Sequence, residues 1–444
     1  MSEKNTDSFN FHFLRTTGVN ILSNIMVPLA GAVDTAFLGH LTDIYYLAGV
    51  ALATIIFIYT YRTCKFLRMG TTGATAQAEG SSDKELVLLI LLRNVLIALT
   101  IGFGILAIQY PIKEFAFAVL SASSEDVKIA AIDYYNARIW GAPATLSNFV
   151  LIGWLLGREK NNKVLLLSLI GNGGNILLDY LFVFHWNWNS AGAGFATATS
   201  QYLMLLAGLT FIAIDGSLNP LPAVYKKIID LAALKTTIGM NFDIWVRSVL
   251  ATTVFALFID LSASWGTLEL ATNALLLQVV NMTVYFIEGS AFTTESLAGN
   301  FRGQGFIEKL LPLLKLSIKV SLSLGIVFTL IFVLLPGPAF RIMTNHLEVI
   351  DEVRHYVLWL LPILLSLSLV YVLEGYFLGL TEVRIIRNSM IAATVLAFIP
   401  TAAMSWWFHN IHILWLALFL FSVTRIVTLG VGVPKTLDGT AIAQ

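Results

Sequence analysis

Asp34 is the only charged residue in a mostly apolar stretch of the sequence, residues 21–38. A carboxylate at membrane depth is energetically costly unless it is compensated, so it usually faces a water-filled cavity or the interior of a helix bundle. In such a place the carboxyl group can bind a proton and lose its charge. The alternative is a structural carboxylate that is held by fixed hydrogen bonds. Because ionisable residues inside membrane segments are functional by default, we interpret Asp34 as the centre of the mechanism.

A second polar group is formed by Asn175 and Asp179, which are four residues apart and therefore share one face of a helix. Asn172 lies three residues before Asn175 and widens the polar stripe. In a membrane helix this face should point to the protein interior. The alternative is an interhelical hydrogen bond that contributes only about 1 kcal/mol to packing. We favour a functional role for Asp179 over this purely structural one.

The composition indicates which elements must position these residues. The chain has 444 residues, of which 57% are hydrophobic and 12% are charged. With about 20 residues for each transmembrane helix, there is room for roughly a dozen. The hydropathy pattern predicts spans near 16–39, 47–69, 85–108, 129–151, 164–184, 193–214, 236–260, 268–292, 314–336, 354–379, 386–408 and 411–432. A polar connection follows the sixth span, which predicts domains 1–215 and 236–444 joined by a cytoplasmic linker, 216–235.

The distribution of basic residues predicts the orientation in the membrane, since cytoplasmic loops carry an excess of lysine and arginine. Most of these residues lie at the termini or after even-numbered helices, as do Arg158, Lys160, Lys163, Lys226 and Lys227. The odd-numbered connections contain only Lys113, Lys128, Arg341 and Arg354. Both termini should therefore be cytoplasmic, which also requires an even number of helices. We expect a multi-pass protein of the inner (plasma) membrane.

The two halves of the chain resemble each other. Residues 71–76, TTGATA, end the second span, and residues 293–298, TTESLA, end the eighth. Residues 153–157, GWLLG, end the fourth, and residues 374–379, EGYFLG, end the tenth. Because each half has six helices, the repeat is parallel and its axis follows the membrane normal. The predicted fold is therefore an all-α integral membrane protein with twelve transmembrane helices, arranged as two six-helix bundles with pseudo-two-fold symmetry around a central cleft.

Several of these segments resemble the multidrug and toxic compound extrusion (MATE) family, and in particular its DinF-like branch. They are residues 27–41 (VPLAGAVDTAFLGHL), 67–78 (LRMGTTGATAQA), 153–157, 171–179 (GNGGNILLD) and 387–390 (RNSM). The similarity extends over nearly the whole chain, in the family's order. It implies a secondary active exporter of organic compounds, which exchanges an inward-moving cation for an outward-moving substrate by alternating access.

The resemblance also implies roles for individual residues. It places the proton site at Asp34, within a network formed by Asn175, Asp179 and a threonine that matches Thr197. Asn148 is a further candidate for this network. Pro28 removes a backbone donor and clashes with the preceding turn, so it predicts a bend in the first helix. That bend is either a hinge coupled to protonation of Asp34 or a static feature of the packing.

The second half contains further polar residues within its predicted spans. Asp243 and Arg247 are four residues apart. Asp243 either forms an ion pair with Arg247, which we favour, or belongs to a substrate or secondary polar site. Glu295 and Glu374 are also possible substrate or secondary polar sites, as are Asn148 and Asn172 of the first half. Related DinF-like chains usually carry aspartate in place of Glu374, so the longer side chain changes the position of any carboxylate that acts there.

Other classes of function find less support in the sequence. The family's sodium-coupled branches place an acid farther along the seventh helix, where residues 248–258 contain none, so we favour protons and keep sodium as the alternative. A lipid-precursor flippase would require a cationic cavity, whereas most basic residues lie at the cytoplasmic rim. We find no nucleotide-binding or catalytic motif for an integral-membrane enzyme.

Cys64 is the only cysteine, so no internal disulfide can form. We expect no cofactor, metal or nucleic-acid partner, a hydrophobic or amphiphilic small-molecule substrate, and a monomer in the lipid bilayer.

Overall fold

The computed structural model describes residues 3–41, 43–120 and 124–437 and is almost entirely helical. Within these ranges, twelve helices are long and apolar enough to cross a membrane. We label them α1 (Asp7–Gly39), α2 (Ile44–Gly80), α3 (Lys84–Ala107), α4 (Glu125–Gly157), α5 (Asn161–His185), α6 (Asn189–Ile214), α7 (Leu231–Trp265), α8 (Thr267–Gln304), α9 (Ile307–Leu334), α10 (Leu347–Gly379), α11 (Val383–Phe408) and α12 (Ile411–Leu437). The predicted twelve-helix fold is thus confirmed.

Several of these helices change their winding along their length. In α4 a 3₁₀ segment, Ile139–Gly141, precedes Pro143, whose ring is accommodated near the start of the next α-helical segment. In α5 two π-helical segments, Leu169–Gly173 and Tyr180–His185, flank a single α-helical segment. A third π-helical segment, Ala393–Phe398, lies in α11. π-helical turns are rare and often occur at functional sites, and in α5 they flank the segment that carries Asn175 and Asp179.

The chain forms two compact units. The N unit is Leu22–Asn241, and the C unit comprises Met1–Ile21 and Phe242–Gln444. The division falls inside α1 and α7, whereas the sequence placed the domain boundaries in the connection at 216–235.

Buried asparagines hold the two crossing segments. In the C unit, Asn20 of α1 donates a hydrogen bond to Thr293 of α8 (3.0 Å), as does Thr17 (3.2 Å). In the N unit, Asn241 of α7 donates to Asn94 of α3 (3.1 Å). Because a buried polar side chain is costly without its partner, these bonds explain why each segment packs where it does.

Close helix packing repeats in the two units through small residues. In the N unit a Cβ atom at Gly153 or Gly157 would overlap the α2 backbone, at the carbonyls of Arg68 and Thr72. In the C unit Gly375 and Gly379 of α10 pack in the same way against α8. Small residues spaced four apart allow helix backbones to approach closely in membranes. The repeat seen in the sequence therefore corresponds to a repeated contact.

One connection is fixed by charge. Lys160 and Lys163, at the start of α5, both contact Asp215, which follows α6. The two ammonium groups lower the pKa of Asp215 to about 2. The contact is therefore fully ionised at neutral pH and would be lost only as the pH falls towards 2.

Candidate functional site

Asp34 of α1 and Asp179 of α5 meet in the N unit, where their carboxyl groups lie within hydrogen-bonding reach of each other. Asp179 is 1% exposed. The Asn175 amide donates to Asp179 Oδ2 at 2.7 Å, which fixes the orientation of that carboxyl group. The α-helical segment between the two π-helical turns, Gly174–Asp179, places the side chains of Asn175 and Asp179 on one face of α5, as their spacing predicted.

One oxygen of each carboxyl group has no hydrogen-bond donor. Asp34 Oδ1 and Asp179 Oδ1 are both buried, and neither accepts a hydrogen bond from any residue that the structure describes. Two ionised carboxylates can only accept hydrogen bonds, so two of them in contact leave these oxygens unsatisfied and repel each other. A proton held by one carboxyl group would serve as the donor to the other. The pair is therefore suited to bind a proton.

The other predicted members of this network make different contacts. The Thr197 hydroxyl donates to the Ala193 carbonyl (2.9 Å) and lines a small cavity. The Asn148 amide donates to the main-chain carbonyl of Gln201 (2.8 Å) and to its side-chain Oε1 (3.1 Å). Asn172 donates to the Ser168 carbonyl (2.9 Å). Their roles in proton coupling stay predictions.

Pro28 lies inside α1, which continues as a helix on both sides of it. The helix therefore continues past Pro28 although the proline nitrogen has no N–H group to donate. The hinge role of Pro28 stays a prediction.

Sequence reasoning missed Arg138, which lies in α4. Its guanidinium donates to the Tyr134 hydroxyl (2.5 Å) and lies over the Phe57 ring, 4.5 Å from its centre. It also interacts electrostatically with both Asp34 and Asp179. The sequence contained an indication of its importance, because Arg138 is a charged residue inside the predicted span 129–151.

A second charged cluster lies in the C unit around Glu374 of α10. Arg247 of α7 donates Nε to Glu374 Oε1 (2.7 Å) and Nη2 to Oε2 (2.5 Å), and Arg425 of α12 also contacts Oε1. Glu374 and Arg425 are each 3% exposed. A planar guanidinium matches a carboxylate in this two-bond geometry. Glu288 also interacts electrostatically with Arg247.

The predicted ion pair between Asp243 and Arg247 is wrong. Arg247 binds Glu374 instead, and Asp243 binds Arg387 of α11. Glu374 accepts hydrogen bonds from both Nε and Nη2 of Arg247. Asp243, on the same helix as Arg247, makes no such contact with it and binds Arg387. Arg138, Arg247 and Arg425 also show that several arginines lie within spans rather than at the rim. Glu295, the remaining candidate, is buried in α8.

These features define an α-helical membrane protein with twelve spans and a buried acid pair in its N unit. The chain matches the MatE family model over residues 20–181 and 244–416. It therefore belongs to the MatE family, and the predicted resemblance is confirmed. The match covers the parts of both halves that carry the predicted motifs.

Individual relatives agree with this family. The chain is 32% identical to the DNA damage-inducible protein F of Escherichia coli (strain K12), over 91% of this chain and 88% of that protein. It is 23% identical to the multidrug resistance protein MdtK of Edwardsiella ictaluri (strain 93-146), over 86% and 84%. A transporter of the MOP superfamily from Pyrococcus furiosus Vc1 (DSM3638) shares the fold, with a TM-score of 0.86, 19% identity and 97% of each chain covered. One of these relatives is thus named as a multidrug resistance protein, and the similar solved structure is that of a transporter.

Proposed function

We propose that this protein exports organic compounds in exchange for protons, and that Asp34 and Asp179 together form the proton site. The observation that carries this proposal is the pair of buried carboxylate oxygens, one on each residue, that lack a donor among the described residues. Proton binding provides a donor within the pair, and proton loss restores repulsion between the two carboxylates. The two states therefore differ in the interactions between α1 and α5, which is what a coupling site requires.

A single proton provides enough energy for export. One charge that crosses a potential of 100 mV releases about 2.3 kcal/mol. Since about 1.4 kcal/mol corresponds to a tenfold ratio, one proton sustains roughly a forty-fold substrate gradient. A pH gradient would add to this value.

The family and the composition support the remaining parts of the proposal. A hydrophobic or amphiphilic compound suits the apolar interior, and the relatives include multidrug resistance proteins. We place the protein in the inner membrane, and the basic residues favour an orientation with both termini cytoplasmic. Proton binding and substrate binding would exclude each other, so that each drives the release of the other.

The proposal is tested in proteoliposomes with an imposed pH gradient and ethidium as the transported probe. We expect Asp34→Asn to fold normally and to lose at least ten-fold of the pH-driven transport, because an amide cannot exchange a proton. Asp179→Asn should be nearly as inactive. The matched control is Asp43→Asn, at an exposed acid whose side chain caps no helix, and it should transport like the wild type.

Two results would contradict the proposal. Wild-type transport that follows a sodium gradient and ignores a pH gradient would assign the site to sodium. Full pH-driven transport by Asp34→Asn would move the proton site elsewhere.

A further inference from the structure

The C unit has a groove at the end where α7 meets α8 and α11 meets α12. Its volume is about 460 Å³, which lies within the range of roughly 300–1,000 Å³ that is typical of small-molecule sites. Trp265 of α7, Glu269 of α8, Tyr356 of α10 and His412 of α12 line it. All of its lining residues belong to one compact unit, so the groove is a feature of the C unit alone.

Glu269 is the only acid among the described residues that line the groove, and neither a lysine nor an arginine lines it. The Glu269 side chain is half-buried, and no hydrogen bond or ion pair joins it to any residue that the structure describes. Gly266, with a φ of 148°, gives it space, because a Cβ atom there would collide with Glu269 Oε2. The carboxylate therefore presents an unpaired negative charge to the groove.

Aromatic rings form much of the remaining wall. The rings of Tyr356 and His412 are tilted against each other with their centres 4.9 Å apart, and Trp265 lines the same groove. His412 Nδ1 accepts a hydrogen bond from Trp359 Nε1 (3.0 Å), so this nitrogen carries no proton and the imidazole is neutral. Because the faces of aromatic rings attract cations, and quaternary ammonium groups in particular, the wall and the carboxylate favour the same kind of ligand.

The groove suits an organic cation better than a metal ion. His409 also lines it, but in the described parts of the chain no three His, Cys, Asp or Glu side chains are arranged to hold a metal. The residues directly before His409 are the exposed Trp406, Trp407 and Phe408. Tryptophan is enriched where membrane meets water, so the groove should lie at the level of the lipid headgroups, where an amphiphile can reach it.

We propose that this groove binds the ammonium group of amphiphilic organic cations, with Glu269 as the counter-ion and the rings of Trp265 and Tyr356 against the methyl groups. The connections after α7 and α11 are odd-numbered, so the basic residues favour the outer side of the membrane for this end. The site lies in the C unit, whereas the acid pair lies in the N unit. The inference therefore does not depend on the proposed proton coupling.

Photoaffinity labelling of the purified protein in liposomes tests the site directly. The probe is 4-azidobenzyl(trimethyl)ammonium at mildly alkaline pH, and mass spectrometry identifies the labelled peptides. We expect label on the peptides that contain Trp265, Tyr356 or His412. An excess of benzyltrimethylammonium should suppress it, whereas neopentylbenzene, which has the same shape without the charge, should not. Glu269→Gln should raise the probe concentration for half-maximal labelling about ten-fold, and Trp265→Leu about five-fold, the size of one cation–π contact.

The matched control is Asp260→Asn, at an exposed acid of α7 that does not line the groove, and it should label like the wild type. Glu269 also lies in the first turn of α8, where a carboxylate stabilises the helix. If that were its only role, Glu269→Gln would lower the unfolding temperature and leave the labelling unchanged, which would overturn the inference.

Wild-type labelling that is absent from the groove, or that neopentylbenzene suppresses equally well, would also overturn the inference. These wild-type results decide the matter even if Glu269→Gln does not fold. Labelling of the groove should persist in Asp34→Asn, so the failure of this inference and the failure of the proposed function are separate outcomes.

Discussion

At the scale of single residues, the two units place their buried charges differently. In the N unit one oxygen of each acid in the Asp34–Asp179 pair lacks a donor. In the C unit the oxygens of Glu374 are bound by Arg247 and Arg425. A carboxylate whose oxygens accept hydrogen bonds from two guanidinium groups binds a proton poorly. The first site is therefore suited to a change of charge, and the second is suited to stability.

Removal of the Glu374 charge should destabilise the C unit. We expect Glu374→Gln to lower the free energy of unfolding by about 3–5 kcal/mol, because it removes the carboxylate that binds both Arg247 and Arg425 in the protein interior. The measurement is the temperature at which the purified protein loses its monodisperse peak in size-exclusion chromatography. Glu348→Gln, at an exposed position on the same helix, should keep the wild-type temperature. Equal temperatures for Glu374→Gln and Glu348→Gln would show that the cluster contributes nothing to stability.

At the scale of helices, α4 packs on α2 in the N unit as α10 packs on α8 in the C unit. In both cases two glycines four residues apart face backbone atoms of the partner helix. The contact therefore depends on the absence of a side chain rather than on a specific interaction. A single methyl group is the smallest test of it.

We expect Gly157→Ala and Gly379→Ala each to destabilise the protein by about 1–3 kcal/mol, the usual cost of overpacking. The atoms that the new methyl group would meet include main-chain atoms of α2 or α8, so the helices themselves would have to separate. The control is Gly104→Ala in α3, where no atom outside the helix lies within 4 Å of the added Cβ. Thermal unfolding of the three variants in one detergent compares them directly. A wild-type unfolding temperature in both Gly157→Ala and Gly379→Ala would contradict this packing argument.

At the scale of the whole molecule, the chain is two related sets of six helices. The even number in each set places the connection after α6 and the two termini on the same side of the membrane. The basic residues of the even-numbered connections favour the cytoplasm for that side. The orientation can be measured with a single reactive thiol, since Cys64 is the only native cysteine.

In a Cys64→Ala background, we expect Asn345→Cys, between α9 and α10, to react with a membrane-impermeant maleimide in intact cells. Asn219→Cys, between α6 and α7, should react only after the cells are permeabilised. Both positions are exposed, so access to the reagent decides the result. The reverse labelling pattern would invert the proposed topology.

The sequence predicted the twelve helices and the repeat because both depend on local patterns of apolar and small residues. The common face of Asn175 and Asp179 followed from helical periodicity for the same reason. The partners of Glu374 could not be predicted in this way, because Arg247 and Arg425 are separated from it by 127 and 51 positions along the chain. Spacing favoured Asp243 for Arg247 because it detects neighbours on one helix. Arg138 was visible as a charge within a span, but its proximity to the acid pair depends on tertiary packing.

The π-helical turns on both sides of the segment that carries Asp179 have a consequence for how this site can evolve and move. Each π turn contains one residue more than the α-helical repeat requires, so a conversion to α-helix would rotate the following side chains by about 100°. Such a rotation could turn Asp179 away from Asp34 while every backbone amide in α5 still found an acceptor. A one-residue deletion in Leu169–Gly173 would trap the rotated form permanently, with the helix intact and the acids parted.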